Sequence, residues 1–147
     1  MEAVIFIGLQ ASGKSSFYRE RFFSTHVRIN LDQLKTRNRE RVLIKACLTS
    51  QQRFVIDNTN PTRMDRQKYI TAAQTDQFRV VGYYFQSRIS DCFARNQNRT
   101  EQVPEVAILS TAKNLELPSL KEGFDQLYYV RLSENGFLVE EWNDEVQ

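Results

Sequence analysis

The chain reads as an α/β protein organised on a mainly parallel sheet. Three observations predict this class. Short apolar runs alternate with longer polar stretches of helical length. The first run is followed at once by a glycine-rich loop that opens a helix, and polar clusters fall where later runs end. A ligand in such a sheet lies at the carboxyl ends of the strands.

Taken in order, Ala3-Val4-Ile5-Phe6-Ile7 is the first strand, apolar throughout and so buried on both faces. "GLQASGKSSF" follows, and Ser15 to Phe22 continues as a helix without Gly or Pro. Val27-Arg28-Ile29-Asn30 is a short second strand, and a polar helix is expected from Asp32 to about Ser50. Arg53 to Asp57 is a third strand, stopped by "DNTNP". There Asn60 is expected as helix N-cap with Pro61 in the first helical position, where a missing N–H costs little. That helix should reach Thr75. Phe78 to Phe85 is a fourth strand, followed by a helix from Ser87 to about Arg99. Leu127 to Leu132 is the last strand, with a hairpin or extension through Asn135-Gly136 and Phe137-Leu138-Val139. Glu101 to Phe124, holding Pro104 and Pro118, is the least regular stretch.

With 147 residues, 41% hydrophobic and 26% charged, the chain has the composition of one globular domain spanning residues 1–147. All 20 Lys and Arg lie within residues 1–132, whereas Glu134, Glu140, Glu141, Asp144 and Glu145 crowd the rest. A basic body suits a polyanionic partner, to which ATP alone contributes part. No run is long enough for a membrane span, and the start lacks a basic signal segment, so a cytoplasmic protein is expected. Cys47 and Cys92 have no metal-type spacing, and His26 stands alone. Small buried cysteines in a reducing compartment are the expectation, with His26 in a loop or cap.

Gly8 through Gly13-Lys14-Ser15 fits G-x-x-x-x-G-K-[ST], behind a strand and ahead of a helix as that motif requires. In this arrangement backbone N–H groups cradle phosphates, the lysine reaches the β- and γ-phosphates and the hydroxyl binds Mg²⁺. Gly8, Gln10, Ala11, Ser12, Gly13, Lys14, Ser15 and Ser16 are therefore the expected ATP cradle, with Ser15 as a Mg²⁺ ligand.

Asp32, after the second strand, is either a helix cap or the general base that orients and deprotonates an acceptor hydroxyl. A second strand beside the loop would favour the base. Asp57, closing an apolar strand, is either a turn residue or an acid at the metal's water shell. Lys35, Arg37, Arg39 and Arg41 form a basic cluster that is either an exposed helix face or an acceptor site. Arg88, Arg95 and Arg99, spaced for one helical face, form either a solvated stripe or a lid that neutralises charge on the nucleotide.

"GLQASGKSSF", "INLDQLKTR", "FVIDNTNPTRMDRQKYI" and "CFARNQNRTEQVP", in this order, resemble the kinase module of polynucleotide 5′-hydroxyl kinases and their P-loop kinase relatives. The resemblance covers most of residues 1–132. It implies a three-layer, adenylate-kinase-like P-loop NTPase sandwich with a small helical lid. By it Asp32 matches the general base, Arg95 and Arg99 the lid arginines, and Lys14 and Ser15 the phosphate and Mg²⁺ ligands. Lys35, Arg37 and Arg39 would bind the nucleic-acid acceptor.

Two positions depart from the family pattern. Its arginines before and three residues after the Asp are here Leu31 and Lys35, and lysine keeps charge but lacks the bidentate fork. The phosphatase motif D-x-D-x-T of two-domain relatives has no counterpart, so 3′-end healing is not expected from this chain. A small-molecule kinase of the same fold and a nucleotide-binding module without transfer activity are the alternatives. A pure binding module has no use for a base at Asp32.

Overall fold

A computed structural model of the chain describes residues 1–143. Of the acidic C-terminal stretch, Asp144 and Glu145 lie outside the described residues. One sheet has the strand order β2-β3-β1-β4-β5-β6. Its members are β1 (Glu2–Ile7), β2 (Val27–Ile29), β3 (Phe54–Ile56), β4 (Arg79–Phe85), β5 (Gln126–Ser133) and β6 (Gly136–Glu141). The first five are parallel, and β6 returns antiparallel to β5 through a two-residue turn at Glu134-Asn135, one residue before the expected Asn135-Gly136, because Gly136 already pairs with Ser133.

β1 sits at the centre because its residues can be buried on both faces. Ala3, Ile5 and Ile7 point to one side, where they meet Ile44, Cys47 and Leu48 of α3 (Arg37–Ser50) and Tyr69, Ile70 and Ala73 of α4 (Arg63–Thr75). Val4 and Phe6 point to the other, against Phe17 and Tyr18 of α1 (Lys14–Arg21). Helices on both faces make this a three-layer α/β sandwich. The α1 side is largely aromatic: Phe6 lies 5.0 Å from Phe85 and 5.7 Å from Phe22, centroid to centroid. Such ring pairs contribute about 0.5–1.5 kcal/mol each beyond area burial.

Several expectations require correction. β2 lies beside β3 and is separated from β1 by it. The helix expected over 32–50 is two, α2 (Leu31–Leu34) and α3, because Lys35 turns to φ 74° and Thr36 restarts the helix by accepting from the Arg39 N–H. α4 is capped by Thr62 rather than Asn60. Thr62 and Asp65 form a reciprocal capping box, while Asn60 at φ 44° donates its amide to the Phe6 carbonyl at 2.8 Å.

α5 (Ile89–Gln97) stops short of Arg99, and Arg88 is its cap residue, so the three arginines do not share a helical face. In the stretch that read as irregular, α6 (Glu105–Asn114) forms and packs on α5 through Ile108, Cys92 and Phe93. Both cysteines are buried, as expected.

Candidate functional site

α1 and α4 leave β1 and β3 toward opposite faces of the sheet, which opens a crevice at the carboxyl ends of these neighbouring strands. The loop of residues 8–13 fills one side of it. Gly8 admits no side chain, since a Cβ there would lie 2.9 Å from Ser12 Oγ and 3.0 Å from Phe85 Cβ. Its N–H donates to the Thr59 carbonyl at 3.0 Å, tying the loop to the segment after β3. Ala11 at φ 63° and Gly13 at φ 103° are both left-handed, and this turns the loop into a concave run of peptide groups. No side chain caps α1, because Gly13 occupies its N-cap. A helix N-terminus so presented is an anion site.

Lys14 is buried at the floor of the loop. Its Nζ donates to the carbonyls of Gly8 at 3.0 Å and Leu9 at 2.6 Å. Burial pushes the ammonium down to about 8, while Asp57 holds it up. Arg99 lowers it further and Asp32 raises it, so both groups from distant chain segments act on this one charge.

Ser15 and Asp57, two residues that the sequence singled out separately, meet here. Ser15 Oγ donates to Asp57 Oδ2 at 3.2 Å, and Asp57 is 1% exposed. Two hard oxygens at this spacing suit Mg²⁺, which takes one or two protein ligands and completes its shell with water and phosphate oxygens. Among the described residues no cluster of three or more His, Cys, Asp or Glu is present. Sequence reasoning missed the third member of the group. Arg28 of β2 donates through Nε to Asp57 at 2.8 Å and through Nη2 to Ser15 Oγ at 3.0 Å.

Asp32 is not the cap of α2. That task falls to Asn30, whose side chain accepts from the Gln33 N–H while its amide donates to the Asp57 carbonyl at 2.6 Å. Asp32 sits one position into the helix, exposed, and its carboxylate accepts no hydrogen bond from the described residues. The Leu31 N–H is held at 3.0 Å by Asn58 Oδ1, and Asn58 in turn donates to the buried Glu40 at 3.0 Å. The backbone that carries Asp32 is thus anchored on both sides to the ends of β2 and β3.

The basic cluster divides by environment. Lys35 is exposed at the break between α2 and α3. Arg39 donates to the Leu34 carbonyl, and Arg41 to Asn38. Arg37 Nη1 turns inward to Glu40 at 3.1 Å and Tyr69 Oη at 2.9 Å, although its side chain stays 60% exposed. Burial, then Glu40, push the Tyr69 phenol up, which keeps it a neutral donor to Glu40.

On the lid side, Arg95 of α5 donates to the Ala11 carbonyl at 3.3 Å, and Arg99 is exposed just past the helix. The buried Asn96 holds that turn by bonding both the N–H and the carbonyl of Val103. Gln10 reaches α6 through Thr111 Oγ1 at 3.0 Å, and Ser16 is exposed in the first turn of α1.

A phosphate loop at the switch point of a parallel sheet, flanked by a serine, an acid and a helical lid, defines a P-loop nucleotide-binding protein of the kinase fold. The chain belongs to the AAA_33 family, an AAA domain, which residues 31–118 match. It is 32% identical over 132 residues to the bifunctional polynucleotide phosphatase/kinase of Schizosaccharomyces pombe, covering 84% of this chain and 32% of that protein. To the putative bifunctional polynucleotide phosphatase/kinase of Acanthamoeba polyphaga mimivirus it is 28% identical over 136 residues, covering 86% of this chain and 32% of that one. The chain therefore spans about a third of the length of these curated relatives.

Among solved structures, the gluconokinase of Sinorhizobium meliloti 1021 superposes with a TM-score of 0.64 at 18% identity, covering 90% of this chain and 83% of that one. Chaetomium thermophilum Kti12, in complex with ADP-AlF3, superposes with a TM-score of 0.63 at 15% identity, over 90% and 92% of the two chains. At these identities the likeness is one of fold. No helix among the described residues is long and apolar enough to cross a membrane.

Proposed function

We propose that this chain transfers the γ-phosphate of ATP to a 5′-hydroxyl end of RNA or DNA, with residues 1–147 acting as one kinase unit. The observation that carries the reading is the exposed carboxylate of Asp32, which accepts no hydrogen bond from the described residues and whose charge acts on Lys14 of the phosphate loop, in a chain 32% identical to a polynucleotide phosphatase/kinase.

ATP lies along residues 8–16 with its phosphates on the loop N–H groups and on Lys14, which exchanges carbonyl partners for phosphate oxygens. Asp32 accepts the proton of the acceptor hydroxyl as its oxygen bonds to the γ-phosphorus. The bond from that phosphorus to the bridging oxygen breaks, and ADP leaves. Arg95 and Arg99 neutralise charge on the transferring group. Ser15 and Asp57 would hold Mg²⁺, which supplies charge neutralisation at the phosphates. Lys35, Arg37 and Arg39 take the backbone phosphates next to the acceptor end.

A small hydroxylated metabolite is the second reading, favoured by Leu31 and Lys35 standing where the polynucleotide kinase pattern has arginines. Incubation with γ-labelled ATP and a panel of 5′-hydroxyl oligonucleotides, sugar acids and polyols separates the two. Label on the oligonucleotides alone is the expected result. Label confined to a metabolite would overturn the acceptor assignment, and label on nothing would overturn the kinase reading.

A further inference from the structure

Ser15 Oγ and Asp57 Oδ2, the two side-chain oxygens placed to bind a divalent cation, already face a cation of the protein's own. Arg28 lies in β2, in register with Val55 of β3. Its neighbour Ile29 packs into the α3 and α4 side of the sheet, so the alternation of the strand sends Arg28 to the α1 side. There its guanidinium closes a triangle: Nε to Asp57 at 2.8 Å, Nη2 to Ser15 at 3.0 Å, and Ser15 to Asp57 at 3.2 Å.

We infer that Arg28 is an internal counter-ion that occupies the divalent-metal position and must leave for the metal to enter. This rests on the nucleotide-site reading above and adds to it. A carboxylate that is 1% exposed is costly without a positive partner, and Arg28 supplies that partner in the free protein. The guanidinium and a hexacoordinate cation cannot both use the same two oxygens. Adjacent corners of a Mg²⁺ octahedron are about 2.9 Å apart. The Ser15 and Asp57 oxygens are therefore close to ligating distance before any metal arrives. Only the occupant has to change. Arg28 is itself 28% exposed along its side chain, so an outward path to solvent exists.

Metal affinity is then set partly by how tightly Arg28 holds on. Competition of this kind is a coupling free energy, and couplings of about 5- to 150-fold are common.

The test uses Arg28→Met and Arg28→Lys. Mn²⁺ binding, followed by electron paramagnetic resonance with saturating non-hydrolysable ATP analogue, should tighten about tenfold or more in Arg28→Met. In a second measurement without nucleotide, Arg28→Met should melt below wild type in chelator and recover when Mg²⁺ is added. Wild type should melt at the same temperature with or without Mg²⁺. Mn²⁺ binding in Arg28→Met that equals or falls below wild type, or a melting temperature that Mg²⁺ does not restore, would overturn the inference. Should Arg28→Met not fold, Arg28→Lys decides. Lysine keeps the charge but lacks the planar two-point fork of the guanidinium, so it should bind Mn²⁺ more tightly than wild type, and equal or weaker binding rejects the idea. Binding of a fluorescent ATP analogue in chelator is measured in parallel. Its absence in wild type would remove the phosphate-loop reading, while the Mg²⁺ melting series still judges Arg28 by itself.

Discussion

Asn58 and Glu40 are joined by a 3.0 Å hydrogen bond that links the loop after β3 to the first turn of α3. Glu40 is 3% exposed and also accepts from Tyr69 and Arg37, so its carboxylate is fully engaged. The other end of Asn58 holds the Leu31 N–H, one residue from Asp32. Asn58 is accordingly a positioning residue for the proposed base. Asn58→Ala should lower kcat about 10- to 100-fold, as small misplacements of a reacting group do. The KM for ATP should stay unchanged, because among the described residues the side chain of Asn58 bonds to Leu31 and Glu40 and makes no hydrogen bond to the loop of residues 8–16. A matching rise in that KM would point to general loosening of the site.

Asp32→Asn keeps shape and removes the proton acceptor. Turnover should fall by about 10² to 10⁴, the usual contribution of a general base. Binding of ATP should be retained, since Asp32 acts on Lys14 only through charge at a distance. An Asn variant within a few-fold of wild type would leave Asp32 without a catalytic task.

Stability depends on an ion pair remote from the reaction. Arg66 is fully buried and grips Glu122 with two bonds, of 2.8 and 3.1 Å, while its Nη1 donates to the carbonyls of Asn60 and Pro61. Arg66→Met should destabilise by about 3–5 kcal/mol, because it strands the Glu122 carboxylate in the interior. Denaturant unfolding reads this directly. Arg66→Met/Glu122→Gln together should recover part of the loss.

The phosphate loop was legible in the sequence because its geometry leaves little choice of residue. Gly8 has no room for a Cβ, and Gly13 needs a positive φ. Asp57 was legible as the acid that ends an apolar strand. Arg28 was not, since a single arginine in a three-residue strand looks like an exposed polar position. Its partner lies 29 residues on and arrives only through sheet pairing. The break at Lys35 had a signal in Thr36, and the start of α4 had one in the Thr62-x-x-Asp65 box, which the neighbouring Asn60-Pro61 obscured. α6 gave no apolar stripe to read: Ile108 is buried, but Val106 and Leu109 are exposed.

Glu2 and His26 clasp the start of β1 to the connection before β2 at 2.9 Å. The hydrogen bond from His26 holds the Glu2 carboxyl below its usual range, against the opposing effect of burial and with help from the charges of His26, Arg79 and Arg53. A folded-state pKa that is lowered gives stability that is complete above the ordinary glutamate value of about 4.3. It is lost as pH falls through the folded value. The melting-temperature gap between wild type and Glu2→Gln should therefore close as pH falls into the acid range. A gap that persists unchanged into strong acid would mean the carboxylate charge contributes nothing.

If Lys35, Arg37 and Arg39 each neutralise one backbone phosphate, the KM for a 5′-hydroxyl oligonucleotide should rise with salt, with a logarithmic slope of roughly 0.7 per contact on a single strand. Each alanine variant should make that slope shallower by about that amount. The three should differ in what else they do. Lys35 and Arg39 are exposed, and neither holds another side chain in place, so Lys35→Ala and Arg39→Ala should leave the melting temperature near wild type. Arg37 also donates to Glu40 and Tyr69, both drawn into the interior, so Arg37→Ala should lower the melting temperature as well. With ATP saturating, salt effects on the donor are suppressed, and the series reports the acceptor alone. A slope unaltered in all three variants would detach this cluster from the acceptor and favour the metabolite kinase. An altered slope without the Arg37-specific loss of stability would instead show that its inward bonds to Glu40 and Tyr69 contribute little to the fold.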